Sequence, residues 1–251
     1  MNELTPAAGG IPPHITNPIP TIPRSQPLGE HPGDREPIVG PFAVVEAILR
    51  YPRRVMYHLR QPGSGGLVAA MVLTSIVCGC LYGLVVGSFS MGTQLWAAPL
   101  KIVSGMLIST LICLPSLYIF TCLSGSQARL GEICGLLAGL LTLMTLLLIG
   151  FAPVAWLFSQ STESIVVMGV LHLLFWFVAI RFGVRFLFAT LRHFGLRTET
   201  GVKVWVMIFC LVSLQMTATL RPILGRAETV LPGNKKFFLA HWRDCLAEPP
   251  R

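Results

Sequence analysis

The sequence predicts an all-α fold: a polytopic transmembrane helical bundle of about five spans, with an N-terminal interfacial amphipathic helix and a short C-terminal surface helix. Three observations lead there. Hydrophobic residues make up 53% of the chain and charged residues only 12%, about half the share near 25% that covers a soluble surface. The mean hydropathy is +0.68. The apolar residues also fall in blocks near the roughly 20 residues needed to cross a hydrocarbon core, so the core is expected to form between helices, in lipid.

The first element, residues 1–41, is a proline-rich stretch running from Pro6 through Pro41 with few large apolar side chains. That composition favours an extended, polyproline-like cytoplasmic tail that cannot pack a core alone. It suits a leader or a docking strand, since polyproline segments lose little entropy on binding. Residues 1–40 contain no continuous apolar region of signal-peptide type, so the first span is expected to act as the insertion signal.

Residues 42–60 place Phe42, Val45, Leu49, Val55, Met56 and Leu59 at helical spacing among Arg50, Arg53, Arg54, His58 and Arg60. Pro52 should split this stretch into two short helices. A basic amphipathic segment ahead of a span is expected in the interface, with Arg50, Arg53, Arg54 and Arg60 against anionic headgroups at about 1 kcal/mol each.

Within residues 61–221, five apolar segments follow, near 67–87, 100–123, 130–158, 165–188 and 202–220. Their short connections predict that consecutive helices are antiparallel neighbours. Arg50, Arg53, Arg54 and Arg60 precede the first span, Arg129 lies in the second connection, and Arg181, Arg185, Arg192, Arg197 and Lys203 flank the fourth. The connections on the other side have only Lys101, while the tail after the fifth span carries Arg221, Arg226, Lys235, Lys236, Arg243 and Arg251 beside Glu228, Asp244 and Glu248. The positive-inside rule then puts the N-terminus in the cytoplasm and the C-terminus outside. In the tail, 222–251, Asn234 to Leu246 reads as one short helix with Asn234 as N-cap, and with Phe238 and Trp242 beside Lys235 and Lys236, as suits a headgroup zone.

The net charge of +8 belongs to this topology. The cations flank apolar blocks rather than forming a stripe with interleaved aromatics, so no nucleic-acid partner is expected. Six of the seven cysteines lie inside apolar blocks, where cysteine behaves as a small hydrophobe. No disulfide framework is expected. Cys78 and Cys80 point roughly 200° apart on a helix, and His241 with Cys245 falls short of the four ligands of a structural zinc site; no metal or cofactor is expected.

The clearest motifs are two four-residue repeats, Ser75, Gly79, Gly83, Gly87 and Gly131, Gly135, Gly139. Each aligns small residues on one helix face and lets two backbones approach, as helices do in lipid. They are expected to serve helix packing, the first span against the third, or a partner interface. Polar residues inside spans are candidate functional groups; His172 and Gln215 are the main ones and are expected to make interhelical hydrogen bonds. Lys101 and Glu163 lie near outer helix ends, Glu132 and Arg181 near inner ones. Pro115 and Pro153 should kink their spans. Phosphate-loop, HExxH, GxSxG and dinucleotide patterns are missing from the sequence, and no catalytic residue is assigned.

The run Ala47-Ile48-Leu49-Arg50-Tyr51-Pro52-Arg53-Arg54-Val55, ahead of five spans, resembles the start of bacterial members of the Yip1 family. The resemblance covers roughly residues 40–221 and implies a cytoplasmic N-terminal region before a five-helix membrane domain. Gln94 to Lys101, Leu114 to Tyr118 and Met216 to Gly225 resemble segments of other bacterial multi-span membrane proteins. These resemblances supply no catalytic residues.

The features together fit a non-enzymatic integral membrane scaffold or accessory subunit, in a bacterial cytoplasmic (inner) membrane. Its expected partners are membrane lipids, including anionic headgroups, and other proteins or further copies of itself. The alternative is a small-solute or ion transporter or channel, suggested by the kinked spans, His172 and the polar end of the fifth span.

Overall fold

The computed structural model describes residues 27–88, 94–161 and 165–219. Residues 1–26 of the leader, 89–93, 162–164 with Glu163, and 220–251 with the expected C-terminal helix lie outside the described residues. Among those residues the regular structure is helical throughout: α1 (Pro41–Arg50), α2 (Pro52–Leu59), α3 (Gly65–Ser88), α4 (Gln94–Leu123), α5 (Leu130–Ser161), α6 (Ile165–His193) and α7 (Thr200–Thr219), preceded by a single 3-10 turn at Pro32–Asp34.

Four helices, α3 to α6, are long and apolar enough to cross a membrane, which marks an integral membrane protein. The fifth apolar helix is shorter, Thr200–Met216 within α7. α4 begins six residues before the expected start and runs through Pro99, while α6 continues five residues beyond the expected Phe188. Both extensions are physically reasonable. Pro99 lies early in its helix, where it removes a single backbone hydrogen bond, and α6 keeps its last turns by burying Leu187 and Leu191.

α5 is the central helix. In its most apolar window 72% of residues are buried, against 28–33% for α3, α4 and α6. It packs on α3 and α6, while α4 packs on α3 and α7. The expectation that consecutive helices are neighbours therefore fails for two pairs: α4 touches α5 sparingly, and α6 and α7 hardly meet. The physical reason is that two hairpins, α4–α5 and α6–α7, interlock, with α3 packed against both arms of the first.

The hairpin turns show the interlock. α4 ends at Gly125 (φ +80°) and α6 at Gly195 (φ +83°), and each Gly is followed by the six-to-one bond of a Schellman cap, Ser126 N–H to Thr121 O and Leu196 N–H to Leu191 O. The turns then bond each other reciprocally. Arg197 N–H donates to Ser124 O at 3.0 Å and Gln127 N–H to Phe194 O at 3.3 Å, partners that exchange under a uniform shift along the chain. The same shift relates Gly125 and Gly131 to Gly195 and Gly201, so the two hairpins are related by a local two-fold through their turns.

α1 and α2 close this end of the bundle, the cap end. The break at Tyr51 falls where Pro52 starts the second helix. Their apolar faces do not lie free for lipid. Val44, Ala47, Ile48, Val55 and Leu59 form one core with Met71 of α3 and Ala138 of α5. Much of the apolar face expected to enter the bilayer is instead buried against protein, and the bulky apolar side chains left outward on α1, α2 and the residues beside them are Val39, Phe42, Leu49 and Tyr51.

Candidate functional site

The chemically richest part of the cap is the outer face of α2. Arg53 Nη2 donates to Pro27 O at 3.2 Å and to Asp34 Oδ2 at 3.3 Å. Arg54 donates to two successive carbonyls, Glu36 O at 2.9 Å and Pro37 O at 2.6 Å, and pairs with the Glu36 carboxylate at 3.1 Å. His58 Nε2 lies 2.7 Å from Glu36 O. Together they fasten residues 27–37 across α2 as a strap. Proline makes this economical, since Pro27 and Pro37 offer carbonyls without an N–H that needs a partner. The strap is not simply extended, as the composition suggested: the 3-10 turn lets the buried Asp34 accept from Gly29 N–H at 3.1 Å, and Arg35 returns to Gly29 O at 2.8 Å. Gly29 (φ +91°) presses on the Tyr57 ring, which leaves no room for a side chain. Burial pushes the Asp34 carboxyl up, but the Gly29 amide and the Arg53 guanidinium outweigh it and hold its pKa below the ordinary value of 3.8.

The arginines expected at headgroups are thus differently employed. Arg53 and Arg54 hold the strap. Arg60 reaches Glu132 of α5 at 3.8 Å and sits over the Phe194 ring, 5.0 Å from its centroid, tying α2 to both hairpins. Glu132 also accepts Arg129 N–H at 2.9 Å, half of a capping box. Arg50 is exposed, with a long 3.9 Å pairing to Glu46. Beside the cap, Glu199 bridges Arg192 at 2.6 Å and Lys203 at 3.3 Å; these partners hold its carboxyl below the usual range.

The small-residue repeats are spent mainly inside the bundle. A Cβ on Gly79 would meet Val103 of α4 at 3.0 Å and Thr145 of α5 at 3.7 Å; on Gly83 it would collide with the Pro99 backbone; on Gly135, with Leu59; on Gly139, with Phe186 at 3.0 Å. Ser75 Oγ lies 3.0 Å from Thr142 Oγ1, which also bonds Met71 O and Ala138 O, and Gly87 is buried in α3. Gly131 differs. It is exposed, with nothing where its side chain would be, and it lines an open groove with Val68, Ala69 and Cys134.

His172 is buried in α6. Its Nδ1 lies 2.7 Å from the Tyr82 hydroxyl of α3, and its Nε2 has no hydrogen-bond partner. Lys101 is also buried; the pairings of Gly79 with Val103 and Gly83 with Pro99 set it level with Tyr82. Gln215 is exposed on α7. The space bounded by Ser75, Val103, Met106 and Thr145 is about 10 Å³, at the limit for one water molecule. Among the described residues no three His, Cys, Asp or Glu side chains gather as a metal site would require.

Sequence reasoning missed Tyr82, Asp34 and Trp205. Trp205 is fully buried, donates to Cys113 O at 2.8 Å and so docks α7 on α4. A lone aromatic in an apolar run has no local pattern that reveals its partner; Asp34 could have been noticed as an acid between prolines facing a basic helix. Comparison with protein-family models, with curated proteins and with solved structures finds no match.

Proposed function

We propose that the protein is a non-enzymatic scaffold or accessory subunit of a bacterial inner membrane, a five-span relative of the Yip1 family with its cap and N-terminus in the cytoplasm. The observation that carries this reading is the strap: Arg53, Arg54 and His58 bind residues 27–37 through main-chain carbonyls. That anchors residues 27–37, which follow the proline-rich leader in sequence, on the cap. A leader of low entropy, leaving from a rigid cap, is suited to engage a partner at the membrane surface. Arg50, Phe42 and Leu49 are among the exposed cap residues placed to meet anionic headgroups and the bilayer edge. The cations Arg129, Arg192, Arg197 and Lys203 support a cytoplasmic cap end, with α7 as the fifth span.

The test compares the full chain with a chain lacking residues 1–26, each purified in mild detergent. The proposal expects named co-purifying proteins to be lost on deletion, and lost again in Arg53→Ala/Arg54→Ala with the leader intact. Retention of every partner in both would overturn the docking role. A second reading, a small-solute transporter, is favoured by the buried Tyr82–His172 pair and the level Lys101; substrate-dependent flux from an isolated monomer in liposomes would establish it instead.

A further inference from the structure

α6 carries two arginines where a lipid-facing helix should have none. Arg181 and Arg185 are both exposed, four residues apart on one stripe with Val170, Leu174 and Phe177, which are 48%, 55% and 67% exposed. From sequence they read as inner-end cations, yet α6 runs on to His193, so Arg181 stands roughly 18 Å from that end and Arg185 roughly 12 Å, at 1.5 Å per residue.

Packing fixes their depth independently. Gly183, between the two, faces Leu140 and Met144 of α5. Those residues bracket Thr142, whose hydroxyl meets Ser75, the eleventh of the 24 residues of α3. The arginines therefore flank mid-height of the shortest of the four long helices. Neither has an ion pair or hydrogen bond among the described residues. The described acids, Glu30, Asp34, Glu36, Glu46, Glu132 and Glu199, belong to the cap or to helix starts. Side chains on a helix lean towards its N-terminus, here away from the cap end, so the preferred rotamers carry both guanidinium groups deeper rather than out to the nearer headgroups.

We propose that Arg181 and Arg185 form an intramembrane docking site for a transmembrane helix of another protein that carries a carboxylate near its midpoint. Charge complementarity selects this occupant. An ionised group at mid-membrane persists when it faces an opposite charge, and the planar guanidinium suits bidentate pairing with a carboxylate. The flanking Leu174 and Phe177 supply the apolar contact beside it. This rests on the accessory-subunit reading and names the chemistry of the partner.

The test reconstitutes the full chain in phosphatidylcholine vesicles, with and without phosphatidylglycerol. Energy transfer then measures its association with synthetic leucine-rich transmembrane peptides bearing Asp, Asn or Leu at the midpoint. The expected result is association of the Asp peptide about tenfold tighter than the Leu peptide, lost in Arg181→Leu/Arg185→Leu and kept in Arg181→Lys/Arg185→Lys. Both positions lie on an exposed apolar stripe, so the Leu variant is expected to fold, and its thermal unfolding is the control. Equal affinity for Asp and Leu peptides would overturn the proposal. So would a preference for phosphatidylglycerol that depends on the two arginines without any preference for the Asp peptide, since the arginines would then serve headgroups. If natural complexes persist in the Leu variant, this site fails while the scaffold reading stands; if the full chain forms no complex at all, the scaffold reading fails, and the peptide result alone decides the site.

Discussion

At the scale of residues, glycine does different work at positions that look alike in the sequence. Gly83 lets the Pro99 backbone approach so closely that a methyl group has nowhere to go, whereas Gly131 faces open space. Overpacking against backbone costs about 1–3 kcal/mol because neither helix can yield locally. Gly83→Ala should therefore lower stability by about that amount in detergent unfolding, with Gly131→Ala within about 0.5 kcal/mol of the parent. Equal effects would mean that the α3–α4 approach is not the constraint. The repeats themselves were legible in the sequence, since a four-residue period reports a shared face. The division of labour within them was not: it depends on Leu59, Val103 and Phe186, which come from elsewhere in the chain.

At the scale of elements, the buried Asp34 carboxylate adds to the carbonyl contacts that hold the strap, through Gly29 N–H and Arg53. The Asp34 pKa lies below its ordinary value of 3.8 in the folded chain, so the carboxylate contributes stability that is fully present above that value. The contribution is lost as pH falls through the lowered folded-state value. Spin labels at Glu30→Cys and Gln61→Cys should report a fixed separation at neutral pH that broadens under acid, and Asp34→Asn should broaden it at neutral pH. A separation unchanged by either would show that the strap is held without Asp34. The two short helices were legible because Pro52 breaks a periodic pattern. Their destination was not. A basic amphipathic stretch reads the same whether its apolar face meets lipid or protein, and the core that chose protein, Met71 with Ala138, is remote in sequence. The reciprocal bonding of the turns at Gly125 and Gly195 emerges only when α4–α5 and α6–α7 interlock.

For the whole molecule, the composition and the apolar blocks already implied a helical membrane protein, because so few charges cannot cover a soluble surface. The order of helices in space was less accessible, since short loops favour sequential packing and here the packing of α3 on α4 and α5 overrides it. Arg181 illustrates the same limit. In sequence it belongs to a cluster of cations, and only the register of α6 against α5 shows that it stands at mid-height. Together with the strap of residues 27–37 on α2, this supports the proposed surfaces for partners at the membrane face and within the membrane. The measurement that bears most directly on that account is the mass of the full chain extracted from its own membrane in native lipid patches. The account predicts a stable assembly heavier than the 27.4 kDa chain, containing a second, different polypeptide in fixed ratio. A single 27.4 kDa chain with bound lipid alone, still able to move a solute across vesicles, would contradict it.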